Sequence, residues 1–532
     1  MCRRQGGPPR AVLLVDPDSG QEDEVSLLVK RSGGDRQTPD RRRKGLSERS
    51  GGVLEGMRGA GGSRVGCGRS GLGFGGLRKR GLCRSLIGEI EKEITELIGI
   101  AAGQIEGGFE AIELRARTLA LSIAARMVER LLNADRSDYQ GTSIPCGCGQ
   151  RARYVGRRKK MLRTALGELA VFRAYYHCID CNQGFCPRDR ELGLEESSFS
   201  PGVLRMIALV GATVSFEEGS ELLAELGGIS IPPKSVERAA EALGREIERD
   251  ELNQTSQEDR GQLPDTLYLG MDGTGIPMRR AELRGRRGKQ PDGSSRTREV
   301  KLCTVWSAEG KDKHGAPVRD PGSVSYTAAI ESAASSDTGE APSAFAQRVM
   351  REAQRRGFTK AKRQVIVADG APFIWNIADE LFPTAIQIVD RFHVKQHLHE
   401  VAKAIFGTPS DLGKQWAKKR CEELDRGDLD ALINRLEIQA STCDAARKCA
   451  AYIQRNQHRM RYDVFHSAGL CTSSGVVEAG CKVAIGTRLK RAGMHWSLAG
   501  ANSITALRCT KLSHRLNSFW QRRSTHPDRQ AA

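Results

Sequence analysis

No apolar run in the sequence approaches the ~18–20 residues that a membrane-crossing helix needs. The longest candidate, VLRMIALVGATV from Val203, is too short and carries Arg205. The first residues, MCRRQGGPPR, lack the apolar stretch of a secretory signal. No G-x-x-x-x-G-K-[ST] phosphate loop is present, which argues against a nucleotide-driven motor. The DGTG at 272–275 is not the D-[ST]-G of an aspartic protease. Apolar residues make up 39% of the chain, below the ~45–50% of a typical globular domain. Nor are the cysteines laid out as a disulfide framework: there are fifteen, an odd number, scattered through a large charged chain. That usage predicts a reducing, cytoplasmic setting with no membrane contact.

What is present is length and positive charge. The 532 residues predict about three domains. An excess of Lys+Arg, 83 against 65 Asp+Glu, leaves +18, which suggests a polyanionic partner such as nucleic acid. A basic tail that only solubilises is the alternative. Residues 1–85 hold 19 of the 59 Gly and a net charge of about +9, half of the total. They show no sustained periodicity and cannot bury enough apolar surface to offset their ordering entropy, so disorder is expected. Non-specific nucleic-acid binding and a start codon assigned too far upstream are both open for this tail.

Periodicity organises the rest. Leu and Ile at i, i+3, i+4 spacing predict a helical segment over 86–137, with a Gly-rich break near Gly107. A Cys-rich segment over 138–192 and a second helical block over 200–252 follow. From Leu267 the pattern alternates strands and helices, giving an α/β domain over 263–406 and 467–520 split by a helical insertion at 407–466. No internal repeat is visible.

Cys146-Gly-Cys148 and Cys178-Ile-Asp-Cys181 form two close pairs with 29 residues between them. A strand-like stretch, LGELAVFRAYYHC from Leu166, leads into the second pair. Two such pairs at hairpin tips bring four thiolates into the closed tetrahedron of one structural Zn²⁺. The first pair is tighter than usual, so His177 and Cys186 are substitute ligands; unrelated free thiols are the bland alternative. RARYVGRRKK, from Arg151, lies inside this module and offers DNA contact. Over 216–249 a helix, a Gly-Gly turn and a second helix with Ser235 near its N-cap fit a helix-turn-helix or a plain packing hairpin.

Three acids carry the most chemical information. Asp272 follows the apolar strand TLYLGM, Asp369 follows VIVA and opens a helix, and Glu478 sits on a helix after Ser473 and Ser474. Carboxylates at the ends of adjacent strands and on a facing helix can converge on two Mg²⁺ (or Mn²⁺) ions about 3.5–4 Å apart. Such a pair activates an attacking hydroxyl and stabilises the leaving 3′-oxygen in phosphoryl transfer. Taken singly, Asp369 reads as a helix cap and Glu478 as a solvated position.

These elements together resemble the RNase H-like DDE transposases, and in detail the ISKra-type bacterial insertion-sequence transposases. The resemblance rests on CGCG…YYHCIDCNQGFCPRD, YLGMDGTGIPM, VIVADGAPFIW, IVDRFHVKQHL, SSGVVE and RLKRAGMHWSLAGA, in that order, over roughly 90–520. It implies an α/β, RNase H-like catalytic core with a helical insertion, preceded by helical and zinc-ribbon modules. Asp272, Asp369 and Glu478, separated by 97 and 109 residues, take the places of the catalytic acids. The DRFH element also looks like the C/D-x₂-H motif of Mutator-like transposases, which puts Asp390 and His393 in support of the site; a capping Asp with a packed His is the alternative. After Glu478, Lys482, Arg488, Lys490 and Arg491 are expected to neutralise phosphates and Trp496 to stack on a base or sugar. A solvated basic helix with Trp496 in the core competes with that. The implied activity is cleavage of transposon DNA ends and transfer of the 3′-OH into target DNA. The implied partner is double-stranded DNA, bound by a homo-oligomer associated with the nucleoid. A domesticated, non-catalytic DNA-binding protein and a nuclease without strand transfer are the alternatives.

Overall fold

The computed structural model describes residues 108–525 apart from 196, 255, 289, 292 and 335–341, together with residues 88, 91, 92, 94 and 95. The tail expected to be disordered, 1–85, lies outside the described residues, as does most of the first predicted helix. Helix α1 spans Gly108–Ala134. It leads into an antiparallel sheet of β1 (Ser143–Pro145), β2 (Arg151–Thr164), β3 (Gly167–Cys178) and β4 (Gln183–Phe185), in that order across the sheet. The basic stretch from Arg151 is thus a strand, paired along its length with β3. β4 covers only the last residues of β3, and α1 covers the open edge. The amides of Ala170 and Phe172 donate to Glu129 and Asn133 at 2.8 Å each. Unpaired edge amides would otherwise template another strand.

A three-helix block follows: α2 (Pro201–Thr213), α3 (Phe216–Gly227) and α4 (Pro233–Asn253). Ser215 and Glu218 close a capping box at the start of α3, and Gly228, at φ 67°, ends it. Helix α4 starts at Pro232 and Pro233 rather than near Ser235, which falls inside the first turn; proline is pre-set for a first helical position. Val236, Ala240, Leu243 and Ile247 bury the inner face of α4. At Gly244 a Cβ would meet the Ser503 carbonyl oxygen at 2.1 Å, so the late helix crosses α4 backbone to backbone. Arg522 and Arg523 pair with Asp250 and Glu246. The inner apolar face of α4 and two of its acids are thus engaged within the fold.

The largest sheet contains β5 (Thr266–Pro277), β6 (Thr297–Trp306), β9 (Ser325–Ala329), β10 (Arg363–Ala368) and β11 (Ile386–Val389); β7 (Gly310–Lys311) and β8 (Pro317–Val318) form a small separate hairpin. The order is β11-β10-β5-β6-β9, with β6 and β9 antiparallel to their neighbours and β10 and β11 parallel to β5. The chain runs through β5, β6 and β9 as successive antiparallel neighbours, and helix α5 (Ala344–Arg356) then carries it over to β10. Strand β5 is covered on both faces, so Thr266–Met271 is buried throughout instead of alternating. Helices α6 (Pro372–Leu381) and α7 (Arg391–Phe406) flank β11. Helices α8 (Asp411–Asp425), α9 (Leu429–Ala440), α10 (Asp444–Asn456) and α11 (Tyr462–Ser467) precede α12 (Gly475–Gly480), a π-helical turn (Cys481–Gly486), α13 (Leu498–Leu512) and α14 (Leu516–Thr525).

One buried ionic cluster ties α5 to β9 and the C-terminal helices. Glu352, fully buried, accepts from Arg515 at 2.7 and 2.9 Å and from Ser325 at 2.5 Å. Burial alone would push its pKa up, but the charges of Arg515 and Arg355 pull it well below the ordinary carboxylate value. Among the described residues no helix is long and apolar enough to cross a membrane.

Candidate functional site

Strand register brings the first two acids together. β10 pairs with β5 in parallel at a constant offset, Arg363 with Thr266 through Ile366 with Leu269. Continued by three residues, that offset sets Asp369, just past the end of β10, level with Asp272 midway along β5, on neighbouring strands spaced about 4.8 Å apart. β11 pairs with β10 through Ala368 and Val389, so Asp390 reaches the same level one strand further on. The offset of 97 residues between the strands is the 97-residue separation of the two aspartates.

Glu478 comes from α12, which lies across β5. Gly270 makes room for it: a Cβ there would sit 2.2 Å from Val477, the residue before Glu478. The start of α12 is fastened by Asp390, which is 3% exposed. Asp390 Oδ1 accepts from the amides of Phe392 and His393 at 2.6 and 3.3 Å, capping α7. Its Oδ2 accepts from the Ser474 amide at 2.8 Å and from the Ser474 hydroxyl. One buried carboxylate therefore joins the helix after β11 to the helix that carries Glu478. The π-helical turn then aims Cys481 at Asp272, to which its thiol is hydrogen-bonded.

Electrostatics are those of an uncompensated acidic cluster. Burial raises the Asp272 carboxyl above its ordinary value, and the charges of Asp369 and Glu478 add to that, against hydrogen bonds from Cys481 and Gly273. Neither Asp272 nor Asp369 forms an ion pair among the described residues, and exposed Glu478 has Lys482 at 3.9 Å. The three carboxylates do not meet at mutual ligand distance; among the described residues only the cysteine quartet does. Asp272 and Asp369 thus lack a cationic partner among the described residues, while Glu478 has Lys482.

His393 belongs to a row of rings. It lies edge-on to His397 at 4.7 Å, which lies edge-on to Tyr452 of α10 at 5.0 Å. Tyr452 packs on Gly370, where a Cβ would be 2.1 Å from the ring, directly after Asp369. Its hydroxyl is buried without a hydrogen-bond partner among the described residues. Burial and the neighbouring His393 hold His397 toward its neutral form. Neither His397 nor Tyr452 stands out in the sequence. The i, i+4 spacing of the two histidines is the available signal for one; nothing local marks Tyr452.

The basic cluster after Glu478 divides. Lys482 and Lys490 are exposed, and Lys490 donates to Thr274, two residues past Asp272. Arg491 pairs with Glu218 of the capping box, which holds that carboxyl at about 2. Arg488 and Trp496 are buried. The Arg488 guanidinium lies over Phe216 at 4.7 Å and Trp496 at 5.3 Å while donating to the Gly211 carbonyl. The Trp496 indole donates to the Leu489 carbonyl at 3.0 Å.

In the smaller sheet, Cys146, Cys148, Cys178 and Cys181 all lie within 4.8 Å of one another. Cys146 and Cys181 are 3.6 Å apart, and Cys148 and Cys178 3.7 Å. A tetrahedron with Zn–S bonds of about 2.3 Å has edges of about 3.8 Å, so this quartet could hold a zinc ion. The Cys148 amide lowers Cys146 to about 7, while burial lifts Cys181 to about 12. His177 turns to Asn182 instead, and Cys186 stands outside the quartet at the start of a short helix.

The model of an uncharacterised protein family, UPF0236, matches residues 149–516. No curated protein matches the chain. Among solved structures, a Drosophila P element transposase strand transfer complex is similar over 64% of this chain and 84% of that one, at 11% identity and a TM-score of 0.20. A likeness that low carries no argument about fold or activity.

Proposed function

The chain belongs to the uncharacterised family UPF0236, and we propose that it is a DDE transposase of the ISKra type with an RNase H-like catalytic core. The observation that carries this reading is the β5–β10 register, which sets Asp272 level with Asp369 beneath the helix bearing Glu478. The strand order, with two parallel strands beside three antiparallel ones, suits such a core. Asp272, Asp369 and Glu478 would hold two Mg²⁺ or Mn²⁺ ions. These ions, when bound, supply a more acidic nucleophilic hydroxyl and neutralise charge on the leaving 3′-oxygen.

The chain's own residues do the positioning. Asp390, through Ser474, sets where α12 presents Glu478. Gly270 lets that helix lie close over β5, and Lys490 stands beside Thr274 as a cation for a phosphate at the strand end. Cys146, Cys148, Cys178 and Cys181 hold one structural Zn²⁺ in a ribbon ahead of the core. The substrate is double-stranded DNA: first hydrolysis of a phosphodiester at a transposon end, then attack of the exposed 3′-OH on target DNA by a homo-oligomer holding both.

The test is Asp272→Asn in the full chain, assayed with a duplex bearing the DNA that flanks the gene. Mg²⁺-dependent cleavage is expected to vanish while duplex binding persists. Strand transfer by the variant from pre-cleaved 3′-OH ends would refute the assignment. Cleavage without joining by the unmodified chain would identify a nuclease instead.

A further inference from the structure

Beyond Asp272, β5 runs on to Pro277 and its connection to β6 forms an arm over 279–298. The arm carries eight Lys or Arg against two acids. Backbone hydrogen bonds tie its described residues to one another and to the chain around Trp496. The Arg279 amide donates to the Trp496 carbonyl at 2.9 Å, the Trp496 amide to Pro277 at 3.1 Å, and the Gly288 amide to Gly293 at 2.9 Å. Glu282 is spent on the fastening: it accepts from the Leu498 amide at 3.1 Å. Arg280, Arg284, Arg286, Arg287 and Arg296 are exposed and form no ion pair among the described residues. Arg298 is lowered by burial and by the charge of Arg286, with Glu282 opposing.

We infer that this arm is a clamp for the phosphate backbone of duplex DNA, gripping it beside the carboxylate site. The inference rests on the reading of the chain as a DNA-processing enzyme and names where the duplex lies on it. Unpaired guanidinium groups on a fastened hairpin are pre-organised, so less freedom is lost when they meet phosphates. From Asp272 to the base of the arm at Pro277 is five residues, about 17 Å along an extended strand. A duplex with its scissile phosphate at Asp272 reaches that point after about five base pairs at 3.4 Å each. The arm has no aromatic residue to stack on a base, so its grip follows the backbone and is indifferent to sequence.

The experiment measures affinity of the full chain for a 30-base-pair duplex of arbitrary sequence, without divalent metal, across a salt series. The variant combines Arg280→Gln, Arg284→Gln, Arg286→Gln and Arg287→Gln. Each arginine–phosphate pairing removed lowers the slope of log affinity against log salt by about 0.9. If two of the four arginines pair with phosphates, the slope falls by about 1.8 and affinity at 0.1 M salt falls roughly 60-fold. A slope lower by one or more, at an unchanged melting temperature, supports the clamp, and so does retention of the slope when the same four become Lys. An unchanged slope in the Gln variant overturns it. A chain that binds through the arm but never cuts would refute the catalytic reading alone. One that cuts while the Gln variant binds as before would refute the clamp alone.

Discussion

Replacing Asp390 by Asn tests how the site is held together with almost no change in shape. The carboxylate accepts four hydrogen bonds, two from α7 amides through Oδ1 and two from Ser474 through Oδ2, and is 3% exposed. An amide can keep its oxygen on only one of those pairs. If the oxygen stays on the Phe392 and His393 amides, the new N–H₂ faces the Ser474 amide, donor against donor. One charge-assisted bond worth about 1.5–3 kcal/mol is lost, and a buried unsatisfied donor adds about 1–3 kcal/mol. The Ser474 hydroxyl can turn to accept and recovers part of this, so the expected loss is about 3 kcal/mol. Urea unfolding of the Asp390→Asn chain would measure it, and hydrogen exchange at the Ser474 amide should quicken because α12 is freed at its start. Cleavage should fall with it through Glu478, whose helix is no longer anchored. A stability loss below about 1 kcal/mol, or unchanged protection at Ser474, would refute the clasp.

Purified under reducing conditions, the chain should contain one zinc per molecule by elemental analysis. Cys178→Ser, which removes the buried member of the quartet, should abolish that zinc and lower the melting temperature; full stability without metal would refute the site. Glu352 predicts an acid limit. Its value is depressed in the fold, so its contribution is present above the ordinary 4.5 and is lost as pH falls below that. Glu352→Gln leaves Arg515 and Arg355 without their shared anion and should cost about 3–5 kcal/mol at pH 7. Its urea midpoint should also fall less steeply than the unmodified chain's between pH 5 and 3, and parallel pH profiles would refute this account.

How far the site is legible depends on sequence distance. Asp272 and Asp369 each end an apolar run, a local signal, and two parallel strands in register make their separation a spatial fact. Glu478 has no such mark; its place depends on Gly270 and on a hydrogen bond between Asp390 and Ser474, 84 residues apart. Ser235 looks like the cap of α4, whereas Pro232 and Pro233 fix the backbone before it and start the helix earlier. Arg488 looks like a surface cation because its neighbours Lys490 and Arg491 are basic. Its actual surroundings, Phe216 and the Gly211 carbonyl, lie more than 270 residues earlier. A guanidinium can be buried when aromatic faces and carbonyls replace its water, and no window of sequence displays that replacement.

The same distinction changes what the net charge means. Arginines close to the core are largely committed within the fold: Arg488 to rings and a carbonyl, Arg491 to Glu218, Arg515 to Glu352 and Glu258, Arg522 and Arg523 to α4. A cation paired at that distance has little field left for a phosphate, because its partner cancels it within a few ångströms. Counting basic residues near the acids therefore overstates the surface available to DNA on that side and says nothing about the other. The β5–β6 arm differs because its acids are few and Arg280, Arg284, Arg286, Arg287 and Arg296 are exposed and form no ion pair among the described residues. Positive potential should then concentrate at the arm and at Lys490, which donates to Thr274 between Asp272 and the arm. A backbone laid along that cationic margin passes carboxylates that would repel it alone. Divalent cations at those carboxylates would remove the repulsion, so duplex affinity should rise with Mg²⁺ in the unmodified chain and rise less in Asp272→Asn.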